Sequence, residues 1–150
     1  MQLAQMNIGR LVAPVGDPAV ADFVDNLARI NALADQMPGF VWRLVDEDGA
    51  DATGLRPFDD PDILVNLSVW ESVTALRRFV YKSDHKDFLR RRAEWFVPMA
   101  GPALVLWWVP PGHRPTPLEG KQRLERLTVH GPGPDAFTFA KPFPAVAGAA

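Results

Sequence analysis

The feature that most constrains the fold is the order of its predicted strands and helices, which two different spacings of apolar residues reveal. Four segments carry apolar side chains at alternate positions or in short runs, which predicts strands. Three others carry them at every third or fourth position, which predicts helices, and a more polar helix is expected after Pro117. The predicted strands are residues 3–11, 40–46, 63–70 and 103–110, and the predicted helices are residues 17–38, 72–82, 85–96 and 117–127.

Taken in order, these elements form strand–helix–strand twice, with the second helix split in two and one more helix near the end. That order predicts an α+β fold of the ferredoxin-like βαββαβ type, in which a four-stranded antiparallel sheet carries helices on one face. The 150 residues suit a single domain. We expect residues 129–150, which are rich in proline, glycine and alanine, to form an irregular tail within that domain.

The third predicted strand, ILVNLSVW, has two unlike faces. Its aliphatic face, formed by alternate residues from Ile63 to Val69, is expected to pack against the helices. Its other face carries Asn66, Ser68 and Trp70, a mixture too apolar for a solvated surface and too polar for an ordinary core. We expect this mixed face to point away from the helices, where a second sheet related by a twofold axis would bury it.

The composition excludes several classes of function. The chain has 16 basic and 18 acidic residues, so its formal charge of −2 gives no general attraction to nucleic acid or to a membrane surface. The absence of cysteine excludes a disulfide framework, a thiolate metal site and a cysteine nucleophile. The sequence shows neither a secretory signal nor an apolar run long enough to span a membrane, and we expect a cytoplasmic protein.

Six stretches of the chain, spread from Leu3 to about Phe139, are distinctive together. They are LAQMNIGRL, FVDNLARINALADQMPGFVWRL, LVNLSVWESVTALRRFVY, FLRRRAEWF, LWWVPPGHRPT and ERLTVHGPGPDAFTF. In these stretches the chain resembles the bacterial family catalogued as domain of unknown function 3291. The resemblance implies a homodimeric α/β barrel related to the antibiotic-biosynthesis monooxygenase-like superfamily. It implies no particular reaction, because one fold serves many functions.

His85 is the candidate catalytic residue. It begins an apolar helical stripe that continues through Phe88, Leu89 and Arg92, and it lies near a helix N-terminus, where the neutral imidazole is favoured. One interpretation makes His85 a general base, a metal ligand or a haem ligand at the mouth of a barrel. The other makes it a hydrogen-bonded residue of a packed wall. Arg92 lies on the same stripe and requires a buried carboxylate or a substrate anion as its partner.

A second set of side chains could bind a substrate, because a mostly apolar pocket with a few polar groups is typical of small-molecule sites. The neighbours Trp107 and Trp108 must point to opposite faces of the sheet, so one of them is available to such a pocket. Arg43 replaces Trp42 in the set if the other face of the second strand looks inward. The alternative is that these polar groups satisfy one another across a dimer interface. The candidate substrate-binding residues are Asn7, Trp42, Asn66, Ser68, Trp70, Tyr81, Arg92 and Trp108.

Three functions compete at this point. The first is a cofactor-independent oxygenase or isomerase that acts on a small apolar or aromatic ligand, and the second is a non-catalytic dimeric module whose aromatic residues form the interface. The third is a haem-binding protein with His85 as an axial ligand. No motif for a phosphate, a metal ion or a serine nucleophile is present, so no cofactor and no metal are predicted.

Overall fold

The computed structural model describes residues 1–45, 63–83 and 85–145, with the backbone alone for residues 85, 88 and 89. The predicted loop at 47–62 lies outside the described residues. A 3₁₀ turn at Pro18–Val20, capped by the Asp17 side chain, leads into the first helix. The elements in chain order are β1 (Gln2–Leu11), α1 (Ala21–Gln36), β2 (Phe40–Arg43), β3 (Ile63–Trp70), α2 (Val73–Lys82), α3 (His85–Arg90), α4 (Arg92–Trp95), β4 (Phe96–Val97), β5 (Leu104–Val109) and α5 (Pro117–His130).

The strands form one antiparallel sheet in the order β2-β3-β1-β5, and the two-residue β4 extends the β5 side of β1. This order and the two helical crossovers are those of the ferredoxin-like fold, so the predicted fold class is confirmed. The central pair is β1 and β3, whose register places Leu3 opposite Trp70 and Asn7 opposite Asn66. Because side chains alternate along a strand, this register assigns every residue of the two strands to one face of the sheet.

Helices α1 and α2 share one face of the sheet, which we call the α1/α2 face. It is built from alternate residues of the three paired strands, and its core joins Leu3 and Trp70 to Ile30 of α1 and to Leu76 and Phe79 of α2. The α1/α2 face consists of Leu3, Gln5 and Asn7 of β1, Leu64, Asn66, Ser68 and Trp70 of β3, and Leu104, Leu106 and Trp108 of β5.

The opposite face, which we call the α5 face, is covered by the last helix. Leu124 and Leu127 of α5 pack on it together with Trp107 of β5. The α5 face consists of Ala4, Met6 and Ile8 of β1, Ile63, Val65, Leu67 and Val69 of β3, and Val105, Trp107 and Val109 of β5.

The prediction of which face meets the first two helices is therefore wrong. The aliphatic residues of β3 contact α5, and the mixed row of Asn66, Ser68 and Trp70 lies beneath α1 and α2. The error comes from α5, which reads as polar on most sides but presents Leu124 and Leu127 to the sheet. Trp70 is 1% exposed within a single chain, so the mixed face needs no second sheet to bury its tryptophan.

Two elements differ from the expected pattern. A β-bulge between Phe40 and Trp42 breaks the alternation of β2, so Phe40 and Arg43 lie on the α1/α2 face and Trp42 lies on the other. The predicted helix at 85–96 is interrupted at Arg91 and stops at Trp95. Its last predicted residue, Phe96, instead pairs with β1 as part of β4.

Helix α5 approaches the sheet closely. A Cβ atom at Gly120 would overlap the side chain of Met6, so glycine allows the helix backbone to reach the strand. Beside it, the Trp107 indole donates a 2.9 Å hydrogen bond to Glu119, and His113 lies 2.7 Å from the same carboxylate. The α5 face is thus a dry, tightly packed contact.

No helix in the described part of the chain has the length and apolar character needed to cross a bilayer.

Replacing Gly120 by valine should therefore push α5 away from the sheet. We expect Gly120→Val to lower the free energy of unfolding by about 1–3 kcal/mol, the usual cost of overpacking. The matched control is Gln122→Val, which places the same side chain on the exposed side of the helix and should cost less than about 0.7 kcal/mol. Urea denaturation followed by tryptophan fluorescence measures both, and equal losses would contradict the close approach.

Candidate functional site

A cavity of about 280 Å³ lies between the α1/α2 face and the helices. This volume is near the lower end of the roughly 300–1,000 Å³ typical of small-molecule sites. Helix α1 contributes one stripe at helical spacing, Phe23, Leu27, Ile30 and Ala34. The cavity is therefore a gap left inside the ferredoxin-like core, sized for a compact ligand.

Aromatic side chains form one end of this cavity. The Trp70 and Phe79 rings stack with centroids 5.3 Å apart, and Phe40 meets Trp70 edge-on at 5.4 Å. Tyr81 of α2 is 52% exposed and lies edge-on to Phe139 of the C-terminal segment. These rings provide an apolar wall on which a flat ligand can stack.

Polar side chains cross the floor of the cavity in a hydrogen-bonded chain. The Gln5 amide nitrogen donates to Asn66 Oδ1 at 2.7 Å and to Ser68 Oγ at 2.8 Å. The Trp70 indole nitrogen also donates to Ser68 Oγ, at 2.9 Å. Gln5 and Ser68 are buried, so these bonds compensate the cost of removing both groups from water. The chain fixes Trp70 and the Gln5 amide in place.

Asn7 and Asn66 lie opposite each other on the two central strands, yet both are exposed. Central strands are normally the best covered part of a sheet, so exposure here shows where the cavity opens to solvent. Both amides thus stand at the entrance, available to a ligand.

Two arginines line the cavity, and they differ in whether a carboxylate balances their charge. Arg43 is paired with Asp35 of α1 at 2.8 Å. Arg92, at the start of α4, is exposed and has no hydrogen bond or ion pair with any residue in the described ranges. Among the described residues that line the cavity there is no aspartate, glutamate, lysine or histidine. The lining therefore carries one uncompensated positive charge.

The structure brings together six of the eight predicted substrate-binding residues. Trp42 packs with the core of the α5 face, because of the bulge in β2. Trp108 lies farther along the α1/α2 face, where its indole donates a 2.8 Å hydrogen bond to the Phe143 carbonyl. The six that line the cavity are Asn7, Asn66, Ser68, Trp70, Tyr81 and Arg92.

The candidate catalytic residue His85 begins α3, but its side chain lies outside the described residues. Its role stays a prediction. Along the chain it lies between Tyr81 and Arg92, both of which line the cavity.

Two polar lining residues were missed by the sequence analysis. Gln5 alternates with Leu3 and Asn7 on β1, so strand periodicity could have placed it beside Asn7. Asn31 follows Leu27 by one helical turn and interrupts the apolar side of α1. An amide within an apolar stripe is a usable signal for a polar group that faces a cavity.

No group of three histidine, aspartate or glutamate side chains within the described ranges could hold a metal ion. The polar side-chain groups of the described lining are instead amides, one hydroxyl, two indoles, a phenol and two guanidiniums. Such groups orient a ligand and stabilise negative charge on it.

Replacing Ser68 by alanine would leave the Trp70 indole nitrogen without its acceptor in a buried position. We expect Ser68→Ala to lower the free energy of unfolding by about 1–3 kcal/mol, the cost of a buried donor left unsatisfied. In Asn66→Ala the Gln5 amide loses an exposed acceptor but keeps Ser68, so the loss in free energy of unfolding should stay below about 1 kcal/mol. Chemical denaturation measures both, and a larger loss for Asn66→Ala would contradict the hydrogen-bonded chain.

Comparison with known proteins gives a family and distant structural likenesses, of which SnoaB is one. The family described as Domain of unknown function (DUF3291) matches residues 2–150. The crystal structure of SnoaB, a cofactor-independent oxygenase from Streptomyces nogalater, is 20% identical in sequence. The match covers 77% of this chain and 97% of the SnoaB chain, with a TM-score of 0.46. Among curated proteins, none matches the chain.

Proposed function

We propose that this chain, which belongs to the DUF3291 family, binds a compact aromatic molecule in its cavity and acts on it as a cofactor-independent oxygenase or isomerase. The observation that carries the proposal is the row of polar side chains on the central strands beneath α1 and α2. A sheet face that only supported helices would be apolar, as the α5 face is. Here Gln5, Asn66 and Ser68 stand in the middle of it.

The surroundings of Trp70 favour a ligand site over a non-catalytic dimeric module. In the module hypothesis a partner chain buries the aromatic residues. Trp70 is already buried by its own chain, against Phe79 and Phe40, and its indole nitrogen has an acceptor. The open part of this face is polar, at Asn7 and Asn66. Polar entrance groups above an apolar wall suit a ligand that enters from solvent.

The proposed oxygenase and isomerase reactions share a first step. A proton leaves a carbon next to a carbonyl group, and the negative charge is carried by the carbonyl oxygen. In an isomerase the proton returns to another carbon, and in an oxygenase the electron-rich anion reacts with O₂. Hydrogen-bond donors held at that oxygen lower the barrier. Asn7 and Asn66 are the donors that we propose for this role.

The proposed reaction also needs a group that accepts the proton. The described lining residues contain no carboxylate and no imidazole. We assign this role to His85, which begins the short helix between Tyr81 and Arg92. A neutral imidazole with a pKa near the working pH is the commonest general base in proteins.

Filling the cavity should remove binding. Ala34 lines the cavity and is 7% exposed, whereas Ala32 on the same helix is exposed. We expect Ala34→Phe to weaken binding of 2-naphthamide, a neutral two-ring probe, by at least about tenfold, a loss of roughly 1.4 kcal/mol. Ala32→Phe should bind it as the unchanged protein does. Isothermal titration calorimetry measures the affinities, after thermal unfolding has shown that each variant folds.

Leu27→Phe is a second filling variant, in case Ala34→Phe does not fold. If the unchanged protein fails to bind the probe, or if both filling variants bind it undiminished, the cavity is not the ligand site.

Proton abstraction can be measured without knowing the natural substrate. 2-Tetralone is a two-ring ketone whose C–H bonds next to the carbonyl exchange slowly with D₂O, and NMR follows that exchange. We expect the protein to accelerate the exchange and His85→Gln to reduce the acceleration by about 10²–10⁴-fold, as for loss of a general base. His130→Gln, at the exposed end of α5, is the control and should change nothing. Equal rates in the two variants would remove His85 from the mechanism.

A further inference from the structure

We infer that the ligand of the cavity is an anion, specifically an aromatic carboxylate whose carboxylate group pairs with Arg92. This inference rests on the proposed function and names the chemical class of its substrate. It starts from the positive charge that Arg92 brings to the cavity wall, for which the described residues offer no counter-charge.

The carboxylates around α4 are already paired with Arg90 and Arg91, the two arginines that precede Arg92. Arg91 lies 2.9 Å from Glu94 and 2.9 Å from Asp22 of α1. The hydrogen bond from Arg91 also lowers the pKa of Glu94, so this carboxylate stays ionised in that pair. Asp87 is paired with Arg90 at 3.3 Å. None of these three carboxylates bonds Arg92.

The other cation of the cavity does not share this property. Arg43 lies on the floor, opposite Ser68, and its guanidinium is held by Asp35. Its charge is thus balanced within the protein. Arg92 alone, among the described lining residues, has a charge left to offer a ligand.

The chemistry of a guanidinium makes a carboxylate the natural partner. It presents five N–H donors in a rigid plane and matches a carboxylate through two parallel hydrogen bonds. Arg92 lines the cavity and is exposed, so an anion that enters from solvent can reach its guanidinium.

A second, independent observation also points to a ligand. Asn31 of α1 is only 8% exposed, lines the cavity and has no hydrogen-bond partner among the described residues. No fully buried side-chain nitrogen or oxygen in that part of the structure lacks a partner, so the Asn31 amide must reach the open space of the cavity. A buried amide left unpaired is costly, and a polar group on a ligand would satisfy it.

The two groups lie beside different turns of α1. Arg92 lies beside Phe96, which packs against Gly9, and α4 contacts the start of α1 through the Trp95 and Phe23 rings. Eight residues of helix, about 12 Å, separate Phe23 from Asn31. A ligand with a carboxylate at the Arg92 end and two rings reaching toward Asn31 would fit this spacing.

The test compares two probes that differ only in charge, 2-naphthoate and the neutral 2-naphthamide. Calorimetry at low and at moderate salt gives the affinity of each for the unchanged protein, Arg92→Gln and Arg78→Gln. Arg78 is exposed on α2, outside the cavity lining, so its variant loses the same charge at another place. We expect the unchanged protein and Arg78→Gln to prefer naphthoate by about two- to fivefold, the range of an ion pair with an exposed arginine.

In Arg92→Gln that preference should fall to about one, while the affinity for naphthamide stays the same. The naphthoate affinity of the unchanged protein should also fall with salt, which tests the inference even if Arg92→Gln does not fold. Equal binding of both probes, or a preference that survives in Arg92→Gln, would overturn the inference and leave the proposed aromatic site standing. Binding of neither probe to the unchanged protein would overturn both.

Discussion

The register of β1 against β3 is the constraint on which the rest of the structure depends. It places Gln5 opposite Ser68 and Asn7 opposite Asn66, so the polar residues of both central strands meet in one row. A slip by one residue would turn that row toward α5 and the aliphatic row toward α1 and α2. The cavity, the hydrogen bonds on its floor and the dry contact beneath α5 all follow from this single pairing.

The two faces of the sheet then meet their helices in different ways. Against α5 the contact is close, because Gly120 lets the helix backbone approach Met6. On the other face, a cavity lined by aromatic rings and amides separates the sheet from α1 and α2. Packing supplies stability on one side of the sheet, and imperfect packing supplies a binding site on the other. The proposed function uses the α1/α2 face, on which the packing is less close.

Sequence periodicity predicts most of the elements because each one satisfies its own local rule. The alternation of β3 and the Asp17-Pro18 start before α1 are local signals, and the structure bears out both. The side of the sheet that each helix covers is a tertiary property, decided by Leu124 and Leu127 on a helix that otherwise looks polar. The exchange of Trp42 for Arg43 in the cavity follows from one bulge, which alternation alone cannot reveal.

Most of the candidate site was accessible from the sequence because it lies on β1 and β3. The position of Asn31 within an apolar stripe is visible in the sequence, but only the structure shows that its amide has no partner among the described residues. The polar groups of the cavity thus fall into two kinds. Gln5, Ser68 and Trp70 bond one another, and exchanging any of them disturbs the other two. Asn31 and Arg92 make no hydrogen bond to the other described side chains. Related chains can therefore change these two residues, and with them the ligand, without losing a contact that stabilises the fold.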